Sequence, residues 1–251
     1  MRNKLFQSLR AVAVAVFWLL VWSGGCYLAN RTLLLPLPYP QDVAEVLWQL
    51  MGESAFWSAV GLSLLRVVAG FALALVAGVL LAMLTTRFSL AHTLFAPLLS
   101  IVRAAPVASF IFVVFLWIRA ESIPVFISFV MVVPLVWENV RQGILNTDVK
   151  LLEMARVFRL SRKQLFWQIR LPAVRPYLQA ALTTGFGFAW KAGVAAEILC
   201  WPSDSLGYYI AEAKSAVETA EVFAVTAVVI ALSVALEWLM RRLMTRGEVK
   251  A

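Results

Sequence analysis

Few side chains in this sequence could do chemistry, and most of those are cations. There is one histidine, His92, and there are two cysteines, Cys26 and Cys200, with no CxxC pair. That inventory builds neither a Cys/His metal centre nor a disulfide scaffold. No GxxxxGK[ST] run is present, so the chain has no phosphate loop of its own. No His, Cys or paired-carboxylate cluster falls at one level of the chain, which argues against an enzyme and assigns no catalytic residue and no metal ligand. What remains is binding. Arg66, Arg103, Glu138, Lys191, Glu197 and Glu237 stand in or beside long apolar runs. A charge there is costly; it lines a pathway, pairs with another charge, or reaches to the interface. Arg66, Glu138 and Glu237 are close enough to the ends of their runs for the last. Lys191 beside Trp190 suits an anionic or aromatic solute, with a structural pairing to a neighbouring helix as the other reading. Glu197 follows Lys191 about 120° further round a helix, so the two are not intrahelical partners.

The elements that must hold these residues are set by composition. The chain is 62% hydrophobic and only 14% charged, too little charge for a water-facing surface of 251 residues. The net charge of +8 is spread between apolar runs rather than gathered into one patch, which excludes nucleic acid as partner. Six runs approach the roughly 20 apolar residues that span a bilayer as a helix: Ala11–Ala29, Ala59–Thr85, Leu94–Ile118, Ile123–Val140, Tyr177–Leu199 and Phe223–Met240. The first is longer than a signal-peptide core and is read as a span. Basic residues crowd one set of connections, from Arg2 and Lys4 through Arg141–Arg175 to Arg246 and Lys250, while the other set is acidic. The positive-inside rule then puts both termini in the cytoplasm.

Two outer segments are long, about 30–57 and 200–220. Pro36, Pro38 and Pro40 precede a helical spacing over Asp42–Met51; Pro202, Ser203 and Gly207 precede a second, through Tyr209 and Ala213. Cys26 and Cys200 fall near outer helix ends, which leaves a disulfide between them open. Gly70, Ala74, Gly78 and Ala82 recur every four residues, as do Gly185, Ala189 and Gly193. These bare faces allow close helix approach, either within one bundle or between subunits. Pro106, Pro124 and Pro134 should kink or start helices.

The longest inner connection, Arg141 to Arg175, is not a flexible linker. Thr147 or Asp148 can cap a short helix with Leu151, Leu152, Ala155 and Phe158 as its apolar positions. Ser161-Arg162-Lys163-Gln164 is a capping-box pattern that opens a second short helix, which Leu171-Pro172 is expected to end. A helix-turn-helix with exposed apolar residues and many cations either lies on the anionic inner leaflet or docks a protein.

Glu153-Met154-Ala155, followed by Ile169-Arg170-Leu171-Pro172 and Pro176, resembles the EAA loop of binding-protein-dependent ABC importer permeases of type I. The pattern departs at Met154 and at Arg159, where the family carries glycine for a turn of positive φ. Arginine there costs about 1 kcal/mol or takes another conformation. Ser63-Leu64-Leu65-Arg66-Val67-Val68-Ala69-Gly70-Phe71, Ala189-Trp190, Ala196-Glu197 and Ser205-Leu206-Gly207 resemble the nitrate/sulfonate/taurine branch, and the likeness runs from about Pro38 to Arg242.

The resemblance implies an all-α transmembrane domain of about six spanning helices over residues 1–251, in the bacterial inner membrane. It implies two permease copies forming a path, two cytoplasmic ATPase subunits that hold ATP and Mg, and an extracytoplasmic solute-binding protein. The permease itself binds no cofactor. Coupling to the ATPase would fall to a loop over about 147–172, through Glu153, Ala155, Phe158, Arg159, Leu171 and Pro172. The fifth spanning helix lines the path in that family, so Arg66, Arg103, Trp190, Lys191 and Glu197 are the path candidates. For Glu153 a surface pair with Arg156, three residues on, is the alternative. A secondary transporter or channel without ATPase subunits is the alternative for the whole chain. The cargo is a small, anion-leaning solute or a small heterocycle.

Overall fold

A computed structural model describes residues 2–31 and 37–245. Pro36, Arg246 and Lys250, which entered the reading above, lie outside the described residues. The described chain is helical, with no strand among those residues. Its elements are α1 (Arg2–Ala29), α2 (Pro40–Gly52), α3 (Ser54–Arg87), α4 (Ser89–Ala104), α5 (Val107–Phe115), α6 (Ile123–Leu145), α7 (Val149–Val157), α8 (Arg162–Leu165), α9 (Leu171–Cys200), α10 (Leu206–Ser215) and α11 (Thr219–Thr245).

By length and composition, α1, α3, α6 and α11 can each cross a membrane. The expected third span is not one helix. It breaks at Ala105–Pro106 into α4 and α5, bent by 104°, and counts as a fifth span only if the pair is taken together. Proline supplies no N–H to continue the ladder and pushes the residue before it into extended backbone, which is where Ala105 sits (ψ 130°). The expected fifth span is α9. At 30 residues it is long enough, but small and polar residues together with Lys191 and Glu197 keep it outside the composition of a lipid-facing helix. Its apolar environment comes from protein instead.

That environment is the packing of α3, α6 and α9. Gly70 and Gly78 of α3 face α6 within the same chain: a Cβ at Gly70 would lie 2.4 Å from the Val125 carbonyl, and one at Gly78 would lie 2.7 Å from Val136. A Cβ at Gly193 would strike Val67 of α3 and Ser128 of α6 at 2.6 and 2.7 Å. The small-residue stripes therefore serve intrachain packing. Ser128 donates across the seam to the Ala189 carbonyl at 3.1 Å. On the far side of α9, the Trp190 indole donates to the Val229 carbonyl of α11 at 3.1 Å. α1 stands at the edge. It is held by a stacked pair, Trp22 on Phe223, and by the Cys26 thiol donating to the Pro38 carbonyl. Cys200 packs instead with Ile111 and Ile123, and both thiols are free, so the disulfide left open above is not formed.

Candidate functional site: a basic loop at one end and a carboxylate clamp at the other

The long connection between α6 and α9 is built much as its capping signals direct. Asp148 caps α7, accepting from the Lys150 N–H at 2.8 Å. Thr147 instead donates back to the Gly143 carbonyl at 3.3 Å. α7 ends in a Schellman turn: the Arg159 N–H reaches the Arg156 carbonyl and the Leu160 N–H reaches the Ala155 carbonyl, at 3.1 and 2.9 Å. This turn needs a left-handed residue, and Arg159 supplies it at φ 50°. Arginine here has accepted the glycine conformation rather than replaced it. Ser161 then forms the expected capping box with Gln164.

The second short helix departs from expectation. α8 does not end at Leu171-Pro172. It passes through one π-helical turn, Phe166–Arg170, straight into α9, with the Leu171 N–H on the Phe166 carbonyl. Pro172 is the second residue of α9 and supplies no N–H to the continuous helix, and the widened turn before it makes room for its ring. The base of the loop is cinched by Tyr177 of α9. Its hydroxyl accepts from the Asn146 amide at 3.0 Å, and its ring lies about 3 Å from where a Cβ on Gly143 would stand.

Of the loop residues nominated from the sequence, Ala155 is the buried residue of α7, and Leu171 is half-buried beside the exposed Pro172. Glu153, Phe158 and Arg159 are exposed. Glu153 makes no ion pair with Arg156 among the described residues. Val157 and Phe158 stand 78% and 72% exposed at the tip, with Trp167 beyond them. An open groove of about 420 Å³ runs along the loop, lined by Leu152, Ala155, Leu160 and Leu165 and by the guanidinium-bearing Arg156, Arg159 and Arg170.

The other end of α9 carries a feature that spacing alone misplaced. Glu197 is fully buried, so it does not line an open path. Its carboxylate accepts from the Ser63 hydroxyl at 2.7 Å and from the Gly207 N–H at 3.3 Å, and pairs with Arg66 at 3.5 Å. Ser63 in turn accepts from the Leu206 N–H at 2.9 Å. Arg66 donates to the carbonyls of Ser203 and Asp204 at 3.1 and 3.2 Å, so its head group is turned to backbone and not to the lipid interface. Together these bonds clamp the turn Trp201–Leu206 and the start of α10 against α3 and α9. A buried carboxylate is tolerable because donors and a cation surround it.

Trp190 is likewise sealed against α11 and does not face a path. Lys191 differs: it lies on an exposed stripe of α9 with Thr184 and Phe188 and has no ion-pair partner among the described residues. Arg103, just before the bend, is exposed as well. The clamp was hidden in the sequence because helical spacing shows which residues share a face but not what covers that face. The signal for it was Gly207 behind the capping Ser205. A Cβ there would lie 2.2 Å from the Glu197 Cβ and 2.4 Å from its carbonyl carbon, a contact only glycine permits.

Several helices able to cross a bilayer, with a structured, basic and apolar loop projecting from one end, fit a membrane subunit that docks a partner. Comparison with known families agrees. Residues 74–246 match the family described as "Binding-protein-dependent transport system inner membrane component", and the chain belongs to that family. It is similar to the nitrate import permease protein of Synechocystis sp., with 28% identity over 81% of this chain and 75% of that one. It is similar to the putative aliphatic sulfonates transport permease protein of Bacillus subtilis, with 26% identity over 86% of this chain and 76% of that one. Among solved structures, an amino acid ABC transporter superposes with a TM-score of 0.62 over 78% of this chain and 94% of its own, at 15% identity, a likeness of fold.

Proposed function

We propose that this chain is the permease subunit of an ATP-driven importer for a small, anion-leaning solute in the bacterial inner membrane. The observation that carries the proposal is the α7–α8 loop, in a chain whose family is that of binding-protein-dependent transport components. Its tip holds Val157 and Phe158 out in water, and such a surface requires a partner. In this reading residues 1–251 act as one permease domain with cytoplasmic termini. Two copies enclose the path, two ATPase subunits hold ATP and Mg and grip the loop through Glu153, Phe158 and Arg159, and a solute-binding protein delivers cargo at the end bearing α2 and α10. Ala155, Leu171 and Pro172 shape that grip from beneath. Arg103 and Lys191 are the basic residues left open to a path. Support for an anion comes from these two cations and from relatives named for nitrate and sulfonates.

The test is uptake by the reconstituted assembly. Removal of ATP, or Phe158→Asp, abolishes uptake of the cognate solute, and Lys191→Ala lowers it while leaving assembly intact. Transport by the chain alone, without an ATPase, refutes the proposal in favour of a channel or secondary transporter.

A further inference from the structure

The loop groove carries more positive charge than a hydrophobic grip requires. Arg156, Arg159 and Arg170 converge on one open groove of about 420 Å³ whose floor is Leu152, Ala155, Leu160 and Leu165. Among the described residues none of the three guanidiniums is paired with a carboxylate. One of them is placed at a cost. Arg159 holds φ 50°, a conformation worth about 1–2 kcal/mol against an L residue with a Cβ, and glycine would adopt the same turn freely.

We infer that this groove receives an acidic side chain of the docking ATPase subunit, and that Arg159 selects the cognate subunit by charge. The inference rests on the coupling-loop reading above. An apolar floor under a ring of planar cations suits one carboxylate-bearing side chain: the stem is buried and the carboxylate meets guanidiniums that can bind it in bidentate fashion. Only Glu153 on α7 itself is acidic, and it is exposed and does not fill the groove. An anionic lipid headgroup offers similar charge, and lipid binding is one outcome of the test. A membrane-surface segment needs only net charge, whereas this groove sets three guanidiniums over an apolar floor.

The experiment uses the full chain in nanodiscs with the ATPase subunit that assembles with it. A photo-crosslinking residue replaces Phe158, and the ATPase peptide it captures is sequenced. Arg159→Glu and Arg159→Gly are then compared for ATPase binding. The glycine variant keeps the turn and removes the side chain with its charge, and the glutamate variant reverses the charge. The expected result is a loss of affinity of about tenfold for Arg159→Gly and at least a hundredfold for Arg159→Glu. Reversing one acidic residue of the captured peptide to arginine should restore binding to Arg159→Glu and weaken binding to the wild type. Unchanged affinity in both variants, with the crosslink intact, overturns the charge selection while leaving the coupling loop standing. No crosslink to an ATPase at Phe158 overturns both. An effect of Arg159→Glu on the protease sensitivity of the loop that tracks phosphatidylglycerol content, with no ATPase present, assigns the groove to lipid and overturns the inference.

Discussion

Gly207→Ala isolates the clamp at the C-terminal end of α9. The new methyl carbon would stand 2.2 Å from the Glu197 Cβ, 2.4 Å from its carbonyl carbon and 2.5 Å from the Ile198 nitrogen. Two of those three atoms are helical backbone, which cannot step aside as a flexible side-chain tip would. The segment must lift by an ångström or more. That breaks the Gly207 N–H bond to Glu197 and the Leu206 N–H bond to Ser63. A hydrogen bond to a charged group contributes about 1.5–3 kcal/mol, and a buried donor left without a partner costs about 1–3 kcal/mol. The sum is about 2.5 kcal/mol at its lower end. At 1.4 kcal/mol per factor of ten, the open form of this segment gains at least about sixtyfold in population. Cys200 reports it directly. It is free, buried, and the last residue of α9, three positions after Glu197. In a Cys26→Ala background, a fluorogenic maleimide should label Cys200 at least about sixtyfold faster in Gly207→Ala than in the parent, provided opening is fast relative to labelling. A labelling rate within threefold of the parent would refute the clamp as the element that closes this end.

Further expectations follow from single contacts. Glu197→Gln keeps the shape but weakens the bond to Arg66 and faces its amide toward the Gly207 N–H; it should accelerate the same labelling by about tenfold, and Glu197→Ala by more. Arg159→Gly should leave the loop at least as resistant to limited proteolysis as the parent, whereas Arg159→Val, a β-branched residue forced to φ 50°, should make it more sensitive. Tyr177→Phe removes the acceptor of Asn146 at the loop base and should lower hydrogen-exchange protection in α7 without touching α3 or α6. Pro172→Ala supplies the missing N–H and should relax the π turn to regular helix, rotating the loop by one residue, about 100°, as spin-label distances between α7 and α9 would show.

The sequence made the loop legible because its signals are local. A capping residue and a capping box act within four or five residues, and Asp148 and Ser161 each behave as such rules require. The short helices α2 and α10 were readable for the same reason. The turn at Arg159 was visible only through the family's glycine at that position, which does not say whether arginine adopts its conformation. Pro172 was misread because proline's local meaning has two branches, a stop or a first-turn residue. Which branch applies depended on the π turn before it, a feature with no sequence mark of its own.

The charged residues of the long helices divide along a different line. Lys191 and Glu197 look equivalent in a list of intramembrane charges, yet one is exposed on a bare stripe and the other is fully enclosed. What separates them is a partner set more than a hundred residues away, Ser63 and Arg66, together with a turn that returns after the helix ends. Reading a buried charge from sequence therefore requires finding its donors first. Here they could have been sought where a serine, an arginine one turn further along the same helix face, and a glycine permitting backbone approach all occur in segments able to meet one end of α9. A carboxylate with such donors within reach is enclosed because the bonds repay its desolvation; one without them would have to face water or a path. Lys191 has no such set among the described residues. That difference, rather than the charge itself, is why it stays a candidate for contact with a solute.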